Sequence, residues 1–488
     1  MEKFYITTPI YYVNAKPHIG HAYTTLAADC LARYYRQKLG EDKVFFLTGT
    51  DEHGAKVAEA AARAHKEPRV FCNEVADEFK EAWKILEISY NQFIRTTDVD
   101  HEKRSAEFLN TLKEKGALYE GDYVGLYCTG CENFITEPQL DENGNCPDHQ
   151  KKPETITEKN WFFTLQTYLP RVEELIRNDV LRIEPGIRKR EVLGLFKQGL
   201  MDFSVSRPNV QWGIPLPWDR AQTIYVWVEA LLNYWTALYD TPYAPLWPPD
   251  VQLMAKDIIK FHCIFWPAML LAYYDNDSSQ LPSTIFAHGF FTVNGKKMSK
   301  TLENVIDPVT LVKEYGADAA RYLIVSQFPF GNDGNIEADK FTEKYNADLA
   351  NGIGNVVSRV STLCEKKITD WDRFWELLEN YVNTYKKISS THIFNAHMEK
   401  FQLVEALLLI IQSLQTIDYV LSKEKIWERD STQRQDEILA RLVFYTGQIL
   451  CITHMLKPFM PRTAQKIEHI FDVQNKKIHL GEHLFPRK

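Results

Sequence analysis

The sequence predicts an α/β fold: a Rossmann-like parallel sheet, split by an insertion and followed by an α-helical bundle. Three observations predict it. Strand and helix patterns alternate over roughly the first hundred residues, and again from Thr223 to about residue 330. Between them lies a stretch of short strands, turns and clustered cysteines. After Asn335 nearly every apolar pattern has helical spacing.

Phe4-Tyr5-Ile6-Thr7-Thr8 reads as the first strand. A loop with Asn14 and Pro17 then opens an amphipathic helix to about Arg36, with Leu26, Ala27, Leu31 and Tyr34 at helical spacing. Val44-Phe45-Phe46-Leu47 is a continuous apolar strand running into the polar loop from Thr48 to Gly54. Strand, helix, strand and polar loop make a βαβ unit, and ligands of such sheets sit at the carboxyl ends of the strands. His18 and Asp51 both fall there. No glycine-rich dinucleotide fingerprint or Walker lysine loop is present.

From Gly116 to about Pro215 the pattern becomes insertion-like, with a turn at Asp141-Glu142-Asn143-Gly144. Alternation resumes at Thr223-Ile224-Tyr225-Val226-Trp227. Farther on, Leu349, Ile353, Val356, Val360 and Leu363 form one apolar stripe of a bundle helix, with further helices around 401–421 and 435–455. The expected domains are 1–115 and 223–290 for the two halves of the sheet domain and 116–222 for the insertion. A loop and connector follow at 291–340, and the helical domain at 341–488.

The 488 residues exceed what one core accommodates. With 65 acidic against 57 basic residues, net charge −8, bulk charge does not announce a nucleic-acid binder, so any such surface is local. Arg188-Lys189-Arg190 is the clearest basic run, and a solvated face explains it as well. No secretory segment follows Met1, and the apolar run Leu403 to Ile411 is too short to span a bilayer. Eight cysteines in so long a chain do not make a disulfide framework. A cytoplasmic protein with no membrane partner is expected.

Two basic motifs lie about 280 positions apart: His18-Ile19-Gly20-His21 and Lys297-Met298-Ser299-Lys300-Thr301. Histidines at i, i+3 on a helix N-terminus share a face where the dipole and open N–H groups favour anions. Gly20 lets a flat base or a phosphate approach the backbone. The two lysines, beside Asn294 and Gly295 in what reads as a flexible loop, suit a clamp on phosphates. Alone, the first motif fits ordinary histidines or half a metal site, and the second fits an exposed turn. As an ordered pair they point to a nucleotide triphosphate.

Cys128-Thr129-Gly130-Cys131 and Cys146-Pro147-Asp148-His149 give CxxC, fourteen residues, then CxxH. Three thiolates and an imidazole suit one tetrahedral, structural Zn2+ with no open position, worth on the order of 10 kcal/mol to the insertion.

The two basic motifs look like the HIGH and KMSKS signatures of class I aminoacyl-tRNA synthetases, with Thr301 in place of the last serine. Over nearly its whole length the sequence resembles the methionyl-tRNA synthetases. The resemblance implies a Rossmann-like catalytic domain with a zinc-binding insertion, a stem-contact region after the lysine loop, and an α-helical anticodon-binding domain. It implies a methionine–tRNA ligase: methionine and ATP give methionyl-adenylate and pyrophosphate, and the aminoacyl group then passes to the 3′ end of tRNA(Met), elongator and initiator. His18, His21, Lys297 and Lys300 would be catalytic, with Gly20 and Asp257 joining them at ATP. Mg2+ would accompany the nucleotide.

Methionine would lie among Ile10, Tyr12, Asp51, Trp227, Ala230, Leu231, Tyr234, Ile258, His262 and Trp266. In that reading Asp51 takes the ammonium, and the aromatics take the thioether, which is polarizable and well matched by rings. Similar positions in the family make Asn355, Arg359 and Trp427 readers of the anticodon, although Ile426 stands where proline is usual. An added tRNA-binding barrel is not expected, so neither is dimerisation. The absence of a long editing insertion argues against the isoleucine, valine and leucine relatives. A nucleotidyltransferase with a non-tRNA substrate and a non-enzymatic RNA binder are the rivals from other classes.

Overall fold

The computed structural model describes residues 2–14, 16–128, 130, 133–135, 140–147, 150–208, 210–298, 304–385, 390–428, 434–481 and 483–488. Two compact units make up the chain. The first holds 1–16, 45–80 and 90–287; the second holds 17–44, 81–89 and 288–488.

The first unit is built on a six-stranded sheet. Its order is Gln92–Arg95, Val44–Asp51, Phe4–Tyr12, Val251–Ala255, Thr284–His288 and Arg182–Glu184. The pairings of the first two strands, the central two and the last two are parallel. The apolar runs are buried nearly throughout, as strands covered on both faces require. This is the doubly wound, Rossmann-like sheet expected. The first strand is longer than the five residues foreseen and carries its last residues, Pro9 to Tyr12, to the carboxyl edge.

Within 116–222 the secondary structure is richer than short strands and turns. A long antiparallel pair, Leu118–Cys128 with Glu154–Phe163, runs in register from Leu118↔Phe163 to Tyr127↔Glu154. Two helices follow, Leu165–Arg177 and Gly186–Phe196. Between them Arg182–Glu184 joins the main sheet as its edge. Arg188 is buried and bonded to Glu191 at 2.6 Å, and Lys189 pairs with Asp179 at 2.7 Å, so two of that run's three charges are engaged internally.

The second unit contains the helix Ile19–Leu39 and the helices from Pro308 onward. The expected stripe is buried at all five positions, but it runs through a π-helical segment, Tyr345–Gly354, before the α-helix Asn355–Lys367. Trp371–Tyr385, Leu403–Glu424 and Gln435–Leu456 complete the main bundle. The apolar run at Leu403 thus belongs to the helix expected around 401–421, which extends to Glu424. By length and composition, Leu403–Glu428 and Gln435–Leu456 could each cross a membrane. Here Leu407, Ile410 and Leu414 of the first, and Leu442, Ile449 and Ile452 of the second, are buried in the bundle core.

Candidate active site

A cavity of about 290 Å³ lies at the carboxyl ends of Phe4–Tyr12 and Val251–Ala255. These are neighbouring central strands from which the sheet grows in opposite directions, the switch point where doubly wound sheets hold ligands. Nine of the ten residues expected around methionine line it. Ile10 and Tyr12 come from the end of the first strand and Asp51 from the end of the second. Trp227, Ala230, Leu231 and Tyr234 come from the helix Val226–Thr236. Ile258 and His262 follow the strand Val251–Ala255.

Trp266 is the exception. It is fully buried and stands behind Tyr234, ring centroids 6.2 Å apart, instead of lining the cavity. The helix there widens into a π turn at Phe261–Phe265, which shifts the phase that a regular α-helix would give. The sequence reading missed Pro9, Asn14, Lys56 and Val226. Lys56 enters from the first turn of the helix Ala55–Arg63, with its ammonium 5.9 Å from the Tyr12 ring centroid. A lysine so close to Asp51 in sequence was a usable signal.

Neutral aromatic groups form one wall. His262 Nδ1 lies 3.0 Å from the Ile258 carbonyl oxygen, which can only accept, so Nδ1 carries the proton. Nε2 then accepts from the Tyr234 hydroxyl at 2.8 Å. Burial pushes the His262 pKa down to about 4, so the ring is uncharged at neutral pH. Trp227 stacks on Phe261 at 4.1 Å. The cavity therefore combines an aromatic wall that is uncharged at neutral pH with the Asp51 carboxylate and the Lys56 ammonium, a combination fitted to an apolar amino acid.

In the second unit His18 is the N-cap of Ile19–Leu39. Its Nδ1 accepts from the Gly20 amide at 3.0 Å, and His21 Nδ1 accepts from the His18 amide at 3.3 Å. This is a capping box made of two imidazoles. Because both Nδ1 atoms accept, the neutral rings carry their protons on Nε2. The rings stack at 3.8 Å, and burial, then His18, holds the His21 pKa well below its usual value. A Cβ on Gly20 would stand 2.8 Å from His18 Cε1, so only glycine leaves room for the capping ring.

The same unit brings the lysine motif's surroundings to this helix end. The Ile19 amide donates to the Ile306 carbonyl at 2.9 Å, and the Met298 methyl lies 3.5 Å from where a Gly20 Cβ would sit. Asn294 and Gly295, both with positive φ, close a tight hairpin pairing Thr292 with Lys297. Asn335 Oδ1 accepts from the Gly295 amide at 2.7 Å, and Asn294 Oδ1 accepts from the Ala338 amide at 3.0 Å. The hairpin that precedes the motif is thus held by both asparagines. Ser299, Lys300 and Thr301 lie outside the described residues. Asp257, expected at ATP, is exposed in the first unit, in the turn Lys256–Ile258 after the strand Val251–Ala255.

Of the metal set, Cys128 and Cys146 are buried in one small cluster with Ile135. The Cys146 carbonyl accepts from the Gln150 amide at 2.8 Å, and its amide donates to Lys151 at 2.9 Å, a knuckle-like turn. Cys131 and His149 lie outside the described residues. Among the described residues one other grouping has metal-ligand geometry. His469, Asp472 and His479 hold their ligand atoms within 4.8 Å of one another, and Asn475 already engages Asp472.

Arg359 and Trp427 are brought together, with the guanidinium 5.4 Å from the ring centroid. Asp418 pairs with Arg359, and Ser422 accepts from it at 3.1 Å. Trp427 stays 39% exposed, while Ile426 is buried and anchors the turn. Asn355 is exposed one turn before Arg359.

The family described as tRNA synthetases class I (M) matches residues 4–154 and 142–361, which take in both basic motifs. The chain belongs to this family of class I aminoacyl-tRNA synthetases. A methionine–tRNA ligase of Thermotoga maritima is 38% identical over 474 residues, covering 95% of this chain and 74% of the relative. One of a Nostoc species is also 38% identical, covering 95% and 89%. The solved Mycobacterium tuberculosis methionyl-tRNA synthetase in complex with methionyl-adenylate superposes with a TM-score of 0.90, at 31% identity over the whole of both chains. Within the class, then, the branch is that of the methionine–tRNA ligases, and the activity is ligation of methionine to tRNA after activation with ATP.

Proposed function

We propose that L-methionine binds in the first unit's cavity, with its ammonium on Asp51 and its side chain against Trp227, Tyr234 and His262. His18, Gly20, His21, Lys297 and Lys300 hold the ATP phosphates, and Asp257 contributes to nucleotide binding. A methionine carboxylate oxygen attacks the α-phosphorus, the bond to the bridging β-oxygen breaks, and pyrophosphate leaves. The protein takes no proton in this step. Its part is placement and charge stabilisation, by the Nε2–H donors of the histidine couple and the ammonium groups of the lysines. The terminal ribose hydroxyl of tRNA(Met) then attacks the carbonyl of the mixed anhydride, and AMP departs. Mg2+ enters with ATP.

Cys128, Cys131, Cys146 and His149 hold one structural Zn2+. Burial of two of the thiols in one cluster and the knuckle turn at Cys146 support the set. The ion fastens the insertion and takes no part in the reaction. Asn355, Arg359 and Trp427 read the anticodon of elongator and initiator tRNA(Met). Residues 116–222 act as the insertion, 291–340 as lysine loop and stem contact, and 341–488 as the anticodon-binding domain of a cytoplasmic monomer.

The observation that carries the methionine assignment is the convergence of nine dispersed residues on one cavity with a neutral aromatic wall and a carboxylate. Pyrophosphate–ATP exchange tests it: methionine is expected to drive exchange, and exchange driven by another amino acid, or by none, would overturn the assignment.

A further inference from the structure

His53 and Glu229 lie 176 residues apart and are almost wholly buried, yet His53 Nδ1 meets Glu229 Oε1 at 2.9 Å. Neither lines the cavity. Each is nonetheless joined to groups that do. His53 follows Asp51 by two residues at the end of its strand. Its backbone carbonyl accepts from the Tyr12 hydroxyl at 3.2 Å. Glu229 sits between Trp227 and Ala230 on the helix that supplies four of the cavity residues. His53 is therefore bonded to the first strand's end through its backbone carbonyl and to the helix through its ring.

We propose that the His53–Glu229 pair is the positioning element of the methionine cavity, fixing the distance between Asp51 and the wall formed by Trp227, Ala230, Leu231 and Tyr234. Methionine is taken as the ligand, as proposed above. An apolar pair of the same size would fill the space but could slide. A hydrogen-bonded charge pair is short and directional, and buried pairs of this kind contribute specificity of arrangement more readily than net stability.

The surroundings favour the charged form of His53. From the helix Val99–Glu114, Glu102 approaches its Nε2 at 3.8 Å, and Arg69 in turn approaches Glu102 at 3.3 Å. His101 of the same helix bonds Thr236, and burial and then His53 push its pKa down to about 3, so it adds no charge. Glu52, two residues from Thr50 on the same strand end, is held by Arg95. Trp212 closes one edge, ring centroid 5.2 Å from that of His53, and donates to the Glu52 carbonyl at 2.6 Å. Burial alone would lower the His53 pKa, but Glu229, then Glu102 and Glu52, carry it above its usual value. The pair weakens as pH rises through the raised His53 value, and on the acid side burial holds the Glu229 pKa above its usual value, so the charge pair is lost there as Glu229 protonates.

The test is Glu229→Gln, which keeps the shape and removes the charge. In methionine-dependent exchange, the KM for methionine should rise about tenfold or more, while the KM for ATP stays close to wild type. The wild-type KM for methionine should climb at alkaline pH, and in the variant this climb should begin at lower pH. His53→Asn, the second variant, should raise the methionine KM and leave only the climb that deprotonation of methionine's own ammonium causes. An unchanged methionine KM in both variants, or equal losses for methionine and ATP, would overturn the proposal. Absence of methionine-dependent exchange in the wild type would instead sink the functional assignment itself, so the two failures are distinguishable.

Discussion

Arg321 and Asp29, both buried, form an ion pair at 2.7 Å in the second unit. The guanidinium also donates to the carbonyls of Phe459 at 2.7 Å, Pro458 at 3.0 Å and Leu86 at 3.1 Å. Asp29 in turn accepts from the amide and hydroxyl of Ser89, both at 2.6 Å, and pairs with Arg33 at 2.7 Å. The pair therefore ties the histidine-capped helix to the turn that closes the bundle, and every strong donor and acceptor in it is used.

Removing one partner of such a pair leaves a buried charge, at a cost of about 3–5 kcal/mol. Arg321→Met should lose that much in urea unfolding, and Arg321→Met with Asp29→Leu should recover part of it. The pH sign follows from Asp29. Burial would raise its pKa, but Arg321, Arg33 and the Ser89 bonds bring it below the usual carboxylate value. Its stabilisation is thus complete above about pH 4 and lost as pH falls through the depressed value. The double variant should show a shallower acid limb, and an unaltered limb would count against this role for Asp29.

Gly20→Ala sets a methyl group against the ring that caps the helix, 2.8 Å from His18 Cε1. His18 must leave the cap, and its Nε2–H leaves its place with it. Loss of one preorganised donor lowers rates by about 10²–10³-fold, whereas a lost cap costs only about 1 kcal/mol of stability. The expected signature is an exchange rate down by about two orders of magnitude with nearly normal unfolding. A variant with unimpaired exchange would remove His18 from the catalytic set.

Tyr234→Phe deletes the donor to His262 Nε2 and leaves a buried acceptor alone. That costs about 1–3 kcal/mol, so methionine KM should rise roughly tenfold with little change for ATP. Since His262 titrates near pH 4, the wild-type methionine KM should show no inflection from this ring between pH 6 and 8. The His53 effect described above lies on the alkaline side, which separates the two histidines.

Much of this site was legible because its residues sit in short local motifs, such as Asp51 at a strand end or Trp227 to Tyr234 along one helix. Local periodicity fails where the backbone departs from regular geometry. The π turn Phe261–Phe265 carries Trp266 behind Tyr234, where regular helical spacing would set it on the face of His262. The His53–Glu229 and Asp29–Arg321 pairs join residues 176 and 292 positions apart, and no single-sequence pattern announces a contact of that range.

Metal analysis of the purified chain should find one zinc, and Cys146→Ser should lose it. Structural zinc supplies on the order of 10 kcal/mol to the segment that binds it, so metal loss should expose the insertion to proteolysis between the strands Leu118–Cys128 and Glu154–Phe163. Zinc retained in the variant would point to another ligand set, of which His469, Asp472 and His479 are the described candidate.

Trp427 combines a partly exposed ring with a neighbouring guanidinium, a pairing on which an unstacked base can lie. Stacking contributes about 1–3 kcal/mol per base, so Trp427→Ala should lower kcat/KM for tRNA charging by about 10- to 100-fold. Pyrophosphate–ATP exchange needs no tRNA and should hold near the wild-type rate. Arg359→Ala should do the same and, because a cation is lost and Asp418 is left to repel RNA, should make charging less sensitive to salt. Equal losses in charging and exchange would mean that the ring supports the fold of the bundle and does not read the anticodon.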